Sequence, residues 1–209
     1  MYSTHVPRIA SAFEVEPLEV FPSLVKFVLA TIQQQFSTVP VILEEWEKLG
    51  TDAPSMWGMK RDGYQWLSSV HWKSVAMTLH RAQRENDRVL AIDALVEIPG
   101  INVVKAAFIA QCVGLKTACL DTQNLQLHQI DNIEAFRIRS NNRAATRLAK
   151  INAYLELCDG IDHCASFWDS WCEVIAAQYP KHYPLGSMDV SSQHVELILG
   201  KLTPAKPPF

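Results

Sequence analysis

Apolar positions recur along this chain almost wholly at helical spacing. Leu24, Phe27, Val28 and Ile32 fall on one face after Pro22, a residue tolerated where a helix begins, and Val41 to Leu49 forms a second amphipathic segment after Pro40. "TDAPSMWG" (Thr51 to Gly58) breaks the pattern and predicts a loop. Tyr64 to Asn86 then predicts one long helix whose apolar face carries Trp66, Leu67, Val70, Met77 and Leu79. A helix over Arg88 to Val96, a break at Ile98-Pro99-Gly100 and a second helix from Val103 predict a tight helical hairpin over 88–113. A polar stretch follows at Asp121 to Asn132, then helices over about Asn142 to Leu157 and about Ala165 to Gln178, within a helical C-terminal part over 142–200. No segment alternates strongly enough to predict a strand. The expectation is an all-α fold of about eight to ten helices, a single domain over 1–209 with a flexible, proline-containing tail at 201–209.

Composition narrows this picture without redirecting it. A chain of 209 residues, 48% hydrophobic and 20% charged, can bury a substantial core. No apolar run approaches the roughly 18 residues that predict a membrane span, and Met1 to Ala10 lacks the basic start and apolar centre of a secretory signal. A cytoplasmic protein with no membrane partner is expected. Five cysteines, an odd number without a C-x-x-C pair, argue for reduced thiols and against a standard zinc site, so no metal is expected. The net charge of -3 supplies no bulk attraction to nucleic acid, so any such contact rests on local cations and backbone amides.

The hairpin carries the chemistry. Gly100 can adopt the left-handed conformation a tight turn requires, and amides at the start of the following helix (Ile101, Asn102, Val103) are positioned, with the helix dipole behind them, to receive a phosphate. A plain helical hairpin with a glycine stop produces the same pattern. Beyond it, the second helix, a break at Gly114 and the run Ala118 to Leu120 return the chain to Asp121, a carboxylate placed to act as a base or merely to cap the helix that follows.

"IPGINVVKAAFIAQCVGLKTACLDTQN" resembles the helix-hairpin-helix DNA glycosylase superfamily, whose pattern runs roughly L-P-G-V-G-x-K-T-A, a helix, a glycine and V-D-T-H. Asp121 stands at the catalytic aspartate of that pattern, with Thr122 after it. Upstream, "FPSLVKFVLATIQQQFSTV" is similar to the superfamily's early helix ending in Q-Q-T, which implies that Gln34 and Gln35 lie near an opened duplex. "GYQWLSSVHWKSVAMTLHRA" resembles the helix preceding the hairpin. The resemblance covers about 21–127. It implies a glycosylase-like body that grips double-stranded DNA through Gly100, Ile101, Asn102 and Val103.

Departures from the pattern shape the expected activity. Bifunctional members carry a nucleophilic lysine where Val104 stands, and Lys105 follows one position later, about a hundred degrees round the helix. Asn102 replaces the second glycine, and Gln123 replaces the histidine. Iron–sulfur members place four cysteines near the C-terminus. Cys158, Cys164 and Cys172 number three and lack the spacing, so no iron–sulfur cluster or other cofactor is expected.

Two enzyme classes and one silent class fit the remainder. The first resembles the phage amino acid:DNA transferases of thymidine hypermodification, once described as glutamyl or putrescinyl thymine pyrophosphorylases. These imply a free amino acid, glycine the first guess, joined to the methylene of a phosphorylated 5-hydroxymethyluracil in DNA inside an infected bacterial host. A monofunctional glycosylase and a non-catalytic DNA-binding module are the alternatives; the oligomeric state stays open. For the transferase, Asp121 is the expected base. Lys105 on the hairpin's second helix, with Arg137, Arg139, Arg143, Arg147 and Lys150, supplies cations for the leaving phosphate or the DNA backbone, although the last three also suit a solvated helical face. Asn124 and His128 lie in the polar stretch after Asp121 and join the candidate substrate contacts.

Six of the seven histidines (His71, His80, His128, His163, His182 and His194) lack metal-ligand spacing. Trp66, Trp72, Trp168 and Trp171 are expected mainly in the core. "SMWGMKRDGYQW" is different: it reads as a glycine-containing loop in which Trp57, Lys60, Arg61 and Tyr64 combine stacking with charge, a mixture suited to nucleic-acid contact.

Overall fold

A computed structural model describes residues 5–34, 38–139 and 141–160. The segment predicted as a helix over 165–178, the tail at 201–209, Gln35, Cys164 and Cys172 lie outside the described residues. Within them the protein is all-α: nine α-helices and two short 3-10 turns, with no strand. No described helix is long and apolar enough to cross a membrane.

The centre of the fold is α2 (Pro17–Ala30), which packs against α1 (His5–Val15), α3 (Val39–Leu49), α4 (Gly58–Trp66), α5 (His71–Glu85) and α7 (Val103–Cys112). Its sequence explains that position. Val20, Phe21, Leu24, Val25, Phe27, Val28, Leu29 and Ala30 are all buried, so the helix is apolar around most of its girth and must be surrounded. The helix starts earlier than its apolar spacing predicts. Pro17 sits at the first turn, where its missing N–H costs nothing, and Pro22 lies inside. The tight packing around Phe21 and Leu24 tolerates the single backbone bond that Pro22 forgoes.

The long helix expected over Tyr64 to Asn86 is instead two. Ser68 and Ser69 interrupt it: the Ser69 hydroxyl donates to the Trp66 carbonyl at 2.7 Å and accepts the His71 amide at 3.3 Å, offering the backbone a turn in place of helix. The interruption rotates the apolar face, so Val70 is 80% exposed and Met77 is exposed rather than in the core. What reads as a loop around Lys60 is the helix α4. Its approach is pinned by the loop before it: the Trp46 indole donates to Ser55 at 2.8 Å, the Ser55 amide donates to Glu45 at 3.1 Å, and Met56 is fully buried.

Asn86 ends α5 in the left-handed conformation, and Asp87 caps α6 (Arg88–Leu95) by accepting the Leu90 amide at 2.9 Å. α6 and α7 pack together as the expected hairpin. From α7 the chain runs through buried Thr117 to Leu120 into α8 (Thr122–Leu127), and α9 (Ala144–Asp159) closes against α6. Buried Ile151, Tyr154, Leu155 and Cys158 recur on one face of α9. The Tyr154 hydroxyl donates to the Ala118 carbonyl at 2.7 Å and accepts the Leu120 amide at 2.9 Å, which fastens the segment before Asp121 to α9. Two forked pairs, Arg88 with Asp159 and Arg147 with Asp93, tie α6 to α9.

Gly63, inside α4, allows the closest approach in this arrangement: a Cβ there would stand 2.5 Å from the Pro99 carbonyl oxygen and 2.9 Å from both Leu29 methyls. In an open helix, alanine would gain about 1 kcal/mol over glycine. A backbone contact this short forces movement that costs about 1–3 kcal/mol, and the clash outweighs the helical gain. Gly63→Ala is therefore expected to lower unfolding free energy in urea. An unchanged or raised midpoint would show that α4 and the hairpin are not in close contact.

Candidate functional site: the hairpin face

The hairpin turn is built by Ile98-Pro99-Gly100-Ile101. The Ile101 amide donates to the Ile98 carbonyl at 3.0 Å and Gly100 has φ +83°, the geometry of a turn with proline second and glycine third. Gly100 is needed for a further reason: a Cβ would meet the Met59 carbonyl oxygen at 2.7 Å. With Gly63 facing Pro99, two glycines thus let the hairpin turn and α4 lie backbone to backbone.

Past the turn, Asn102 caps α7, its side-chain oxygen accepting the Lys105 amide at 3.0 Å. The residue that departs from the glycine pattern has its own task. The amides of Val103 and Val104 make no hydrogen bond among the described residues, so two donors remain open at the positive end of α7. Ile101 and Val103 are buried and Asn102 is exposed, leaving the turn as the accessible part.

Two lysines, distant in sequence, meet beside this turn. The Lys105 ammonium donates to the Thr31 hydroxyl at 3.0 Å, and Lys60, on α4, donates to the Ala30 carbonyl at 3.4 Å. Both reach the carboxyl end of α2, where Thr31 in turn donates to the Val28 carbonyl at 2.7 Å. Lys60 is 0% exposed, and no carboxylate pairs with it among the described residues. Burial above all, with the Lys105 charge second, lowers its pKa from 10.5 to about 8. Capping α2 does not account for such a residue. A cation at a helix carboxyl end gains about 0.3–1 kcal/mol, whereas stripping water from an ammonium costs several. The Trp57 ring covers it, 5.6 Å from the ammonium and itself 40% exposed, and exposed Met59 and Arg61 flank Lys60 in sequence.

The other expected site residues fall elsewhere. Asp121 is the N-cap of α8: its carboxylate accepts the Asn124 amide at 3.0 Å, so the capping role is real, and the group is only half buried. Asn124 donates to the Cys119 carbonyl at 2.6 Å, and His128 ends α8. The segment leading to Asp121 is anchored on α7 by the Thr117 hydroxyl, which donates to the Ala107 carbonyl at 2.7 Å. Four extended residues span at most about 14 Å, so the Asp121 Cα stays within that distance of the Thr117 Cα. Arg137 and Arg139 are not gathered round the lysines. Both pair with exposed Glu134, at 3.0 and 2.9 Å, whose carboxyl they hold below its usual range, and Lys150 donates to the Glu134 carbonyl. Arg147 is committed to Asp93, and Arg143 is exposed at the start of α9. Gln34 is half buried just beyond α2.

A groove of about 620 Å³ lies at the other end of α6, lined by Glu85, Asp87, Arg88, Glu156 and Asp159 among others. It is separated from the hairpin turn by the length of α6, about 12 Å for eight residues. Its acidic lining opposes a nucleic-acid role. Among the described residues no three His, Cys, Asp or Glu side chains gather as metal ligands would.

The chain matches no family model, no curated protein and no solved structure. The site therefore has to be argued from its own geometry.

Sequence patterning singled out Lys60 and Lys105 separately but did not join them, nor did it find Thr31 or Gly63. The available signal was the pair of glycines, Gly58 and Gly63, bracketing Lys60 in a segment otherwise able to be helical.

Lys60 generates a stability prediction. The unfolded chain, with its lysine at 10.5, still holds the proton where the folded chain, at about 8, has released it, so stability rises as pH climbs through that window. Below about 8 the buried charge is a standing penalty. Lys60→Met is expected to stabilise the protein at pH 7 by about 1–3 kcal/mol, a rise in melting temperature of about 2–8 °C. The gap between variant and wild type should narrow towards pH 10. A variant that melts lower than wild type at pH 7 would mean the ammonium is well compensated.

Proposed function

We propose that this protein has a helix-hairpin-helix DNA glycosylase-like fold and is a DNA-base transferase. In this reading it joins a free amino acid to the methylene of a phosphorylated 5-hydroxymethyluracil in double-stranded DNA. The observation that carries the DNA part is the hairpin itself: a Pro-Gly turn, followed by two open amides at the positive end of α7, is a cradle for a backbone phosphate. Because the chain is net acidic, this grip works through backbone dipoles and the few cations nearby rather than through bulk charge.

The reaction is a substitution. The amine nitrogen bonds to the methylene carbon, the carbon–oxygen bond to phosphate breaks with its electron pair leaving on phosphate, and the amine proton passes to a base. Asp121 is that base, its carboxylate retaining acceptor capacity beyond the single bond from Asn124. Val104, apolar and on the same helix as the open amides, supports a reaction without a lysine nucleophile at the hairpin. Lys105 is the cation that the hairpin supplies to the departing phosphate. Arg137 and Arg139, held by Glu134, are left out of this role.

Because Asp121 also caps α8, the informative substitution is one that keeps the cap. Asparagine caps as well as aspartate, so Asp121→Asn removes the base while leaving α8 in place. Amino-acid transfer to phosphorylated 5-hydroxymethyluracil DNA, followed by mass spectrometry with glycine tried first, should be abolished. Duplex affinity should fall less than about tenfold. Undiminished turnover would remove Asp121 from the chemistry. Release of free base with no added mass, across a panel of amino acids, would replace the transferase with a glycosylase.

A further inference from the structure

Lys60 is fully buried, yet among the described residues its ammonium makes a single hydrogen bond, to the Ala30 carbonyl at 3.4 Å, and pairs with no carboxylate. An ammonium has three N–H donors, so two donors are left over and the charge has no counter-charge. Taking such a group out of water is costly without a partner. A carboxylate fits the deficit in number, because it brings one negative charge and two oxygens, one for each remaining donor. The Trp57 ring now lies over the ammonium, 5.6 Å away, and a ring face attracts a cation more weakly than a carboxylate does. We propose that Lys60 is the seat for the carboxylate of a small free acid, entered when the Trp57 ring swings aside.

Burial sets the size of the acid. The ammonium is wholly covered and the indole above it is partly exposed, so a ligand reaches Lys60 by displacing that ring. Trp57 precedes Gly58, whose φ of +45° bends the chain, and a Cβ built at Gly58 would meet nothing within 4 Å, so the backbone beside the ring is uncrowded. A phosphodiester also carries one charge, but it is tied on both sides to sugars and stays at the surface, where the open amides of Val103 and Val104 meet it. Lys105 need not contribute a bond. It keeps its contact with Thr31, and its charge already acts on Lys60 from α7 in the direction that favours an anion there. Identifying the acid as the amino-acid donor rests on the transferase reading; the existence of the seat does not.

The test titrates acetate, acetamide and dimethyl phosphate into the full-length protein without DNA, by calorimetry at constant ionic strength. Acetate should bind at pH 7 with Kd in the low millimolar range or tighter, and acetamide, of the same size without the charge, at least about tenfold more weakly. The acid pairs only with the protonated amine, whose pKa is about 8, so acetate affinity should fall about tenfold between pH 7 and pH 9. Lysines of ordinary pKa would hold acetate equally over that range. Lys60→Met should abolish binding, with circular dichroism confirming its fold; should that variant not fold, the wild-type pH profile decides alone. No acetate binding to wild type, an affinity unchanged from pH 7 to pH 9, or wild-type affinity in folded Lys60→Met would each overturn the proposal. Dimethyl phosphate binding as tightly as acetate would overturn it too, by making Lys60 a contact of the DNA backbone. Acetate binding that depends on Lys60, with no amino-acid transfer in the DNA assay, would leave the seat standing and remove the transferase reading alone.

Discussion

The arrangement depends on one contact, the backbone-to-backbone seating of the Pro99-Gly100 turn against α4. Two side chains must be missing for it to form, because a Cβ at Gly63 would strike the Pro99 carbonyl and one at Gly100 would strike that of Met59. Everything at the hairpin face follows from it. Once α4 lies against the turn, Lys60 is carried to the end of α2 where Lys105 already arrives from α7, and Trp57 is set over Lys60. The loop fixed by Trp46, Ser55 and Glu45 holds α4 in place from the other side.

That geometry is bought against stability. The core beneath it is ordinary and ample: α2 is buried on most of its surface, and α7 packs small residues such as Ala106, Ala107 and Ala110 so that helices approach closely. An ammonium in the same place adds nothing to that core. Among the described residues its direct compensation is the carbonyl end of α2 and the Trp57 ring, both small beside the desolvation they oppose. A residue that a methionine is expected to replace with gain calls for a role outside folding.

Much of the helical framework is legible from spacing, because Pro99 and Gly100 punctuate the hairpin between α6 and α7; the caps Asp87 and Asn102 and the buried face of α9 are findings of the structure. The break at Ser68-Ser69 was missed because the apolar period runs across it; local side-chain bonding to the backbone decided the outcome. α4 reads as a loop in sequence because its helix depends on docking against α2 and the hairpin, not on its own apolar stripe. The site was legible by residue type and not by grouping. Asp121, Lys60 and Lys105 each stand out as candidates in the sequence, yet Lys60 and Lys105 are 45 positions apart and meet only through the tertiary fold, while Arg137 and Arg139, close in sequence, are both claimed by the preceding carboxylate of Glu134.

The central claim is that the hairpin and the start of α4 form one DNA-contacting face. Amide hydrogen exchange with and without an unmodified duplex tests it directly, since the open amides of Val103 and Val104 are themselves the reporters. Slowed exchange over 99–106 and 57–64, with no change in the acidic groove lined by Asp87 and Glu156, is the result this account predicts. Protection confined to α9 or to the groove, with the hairpin exchanging as fast as in the free protein, would contradict it.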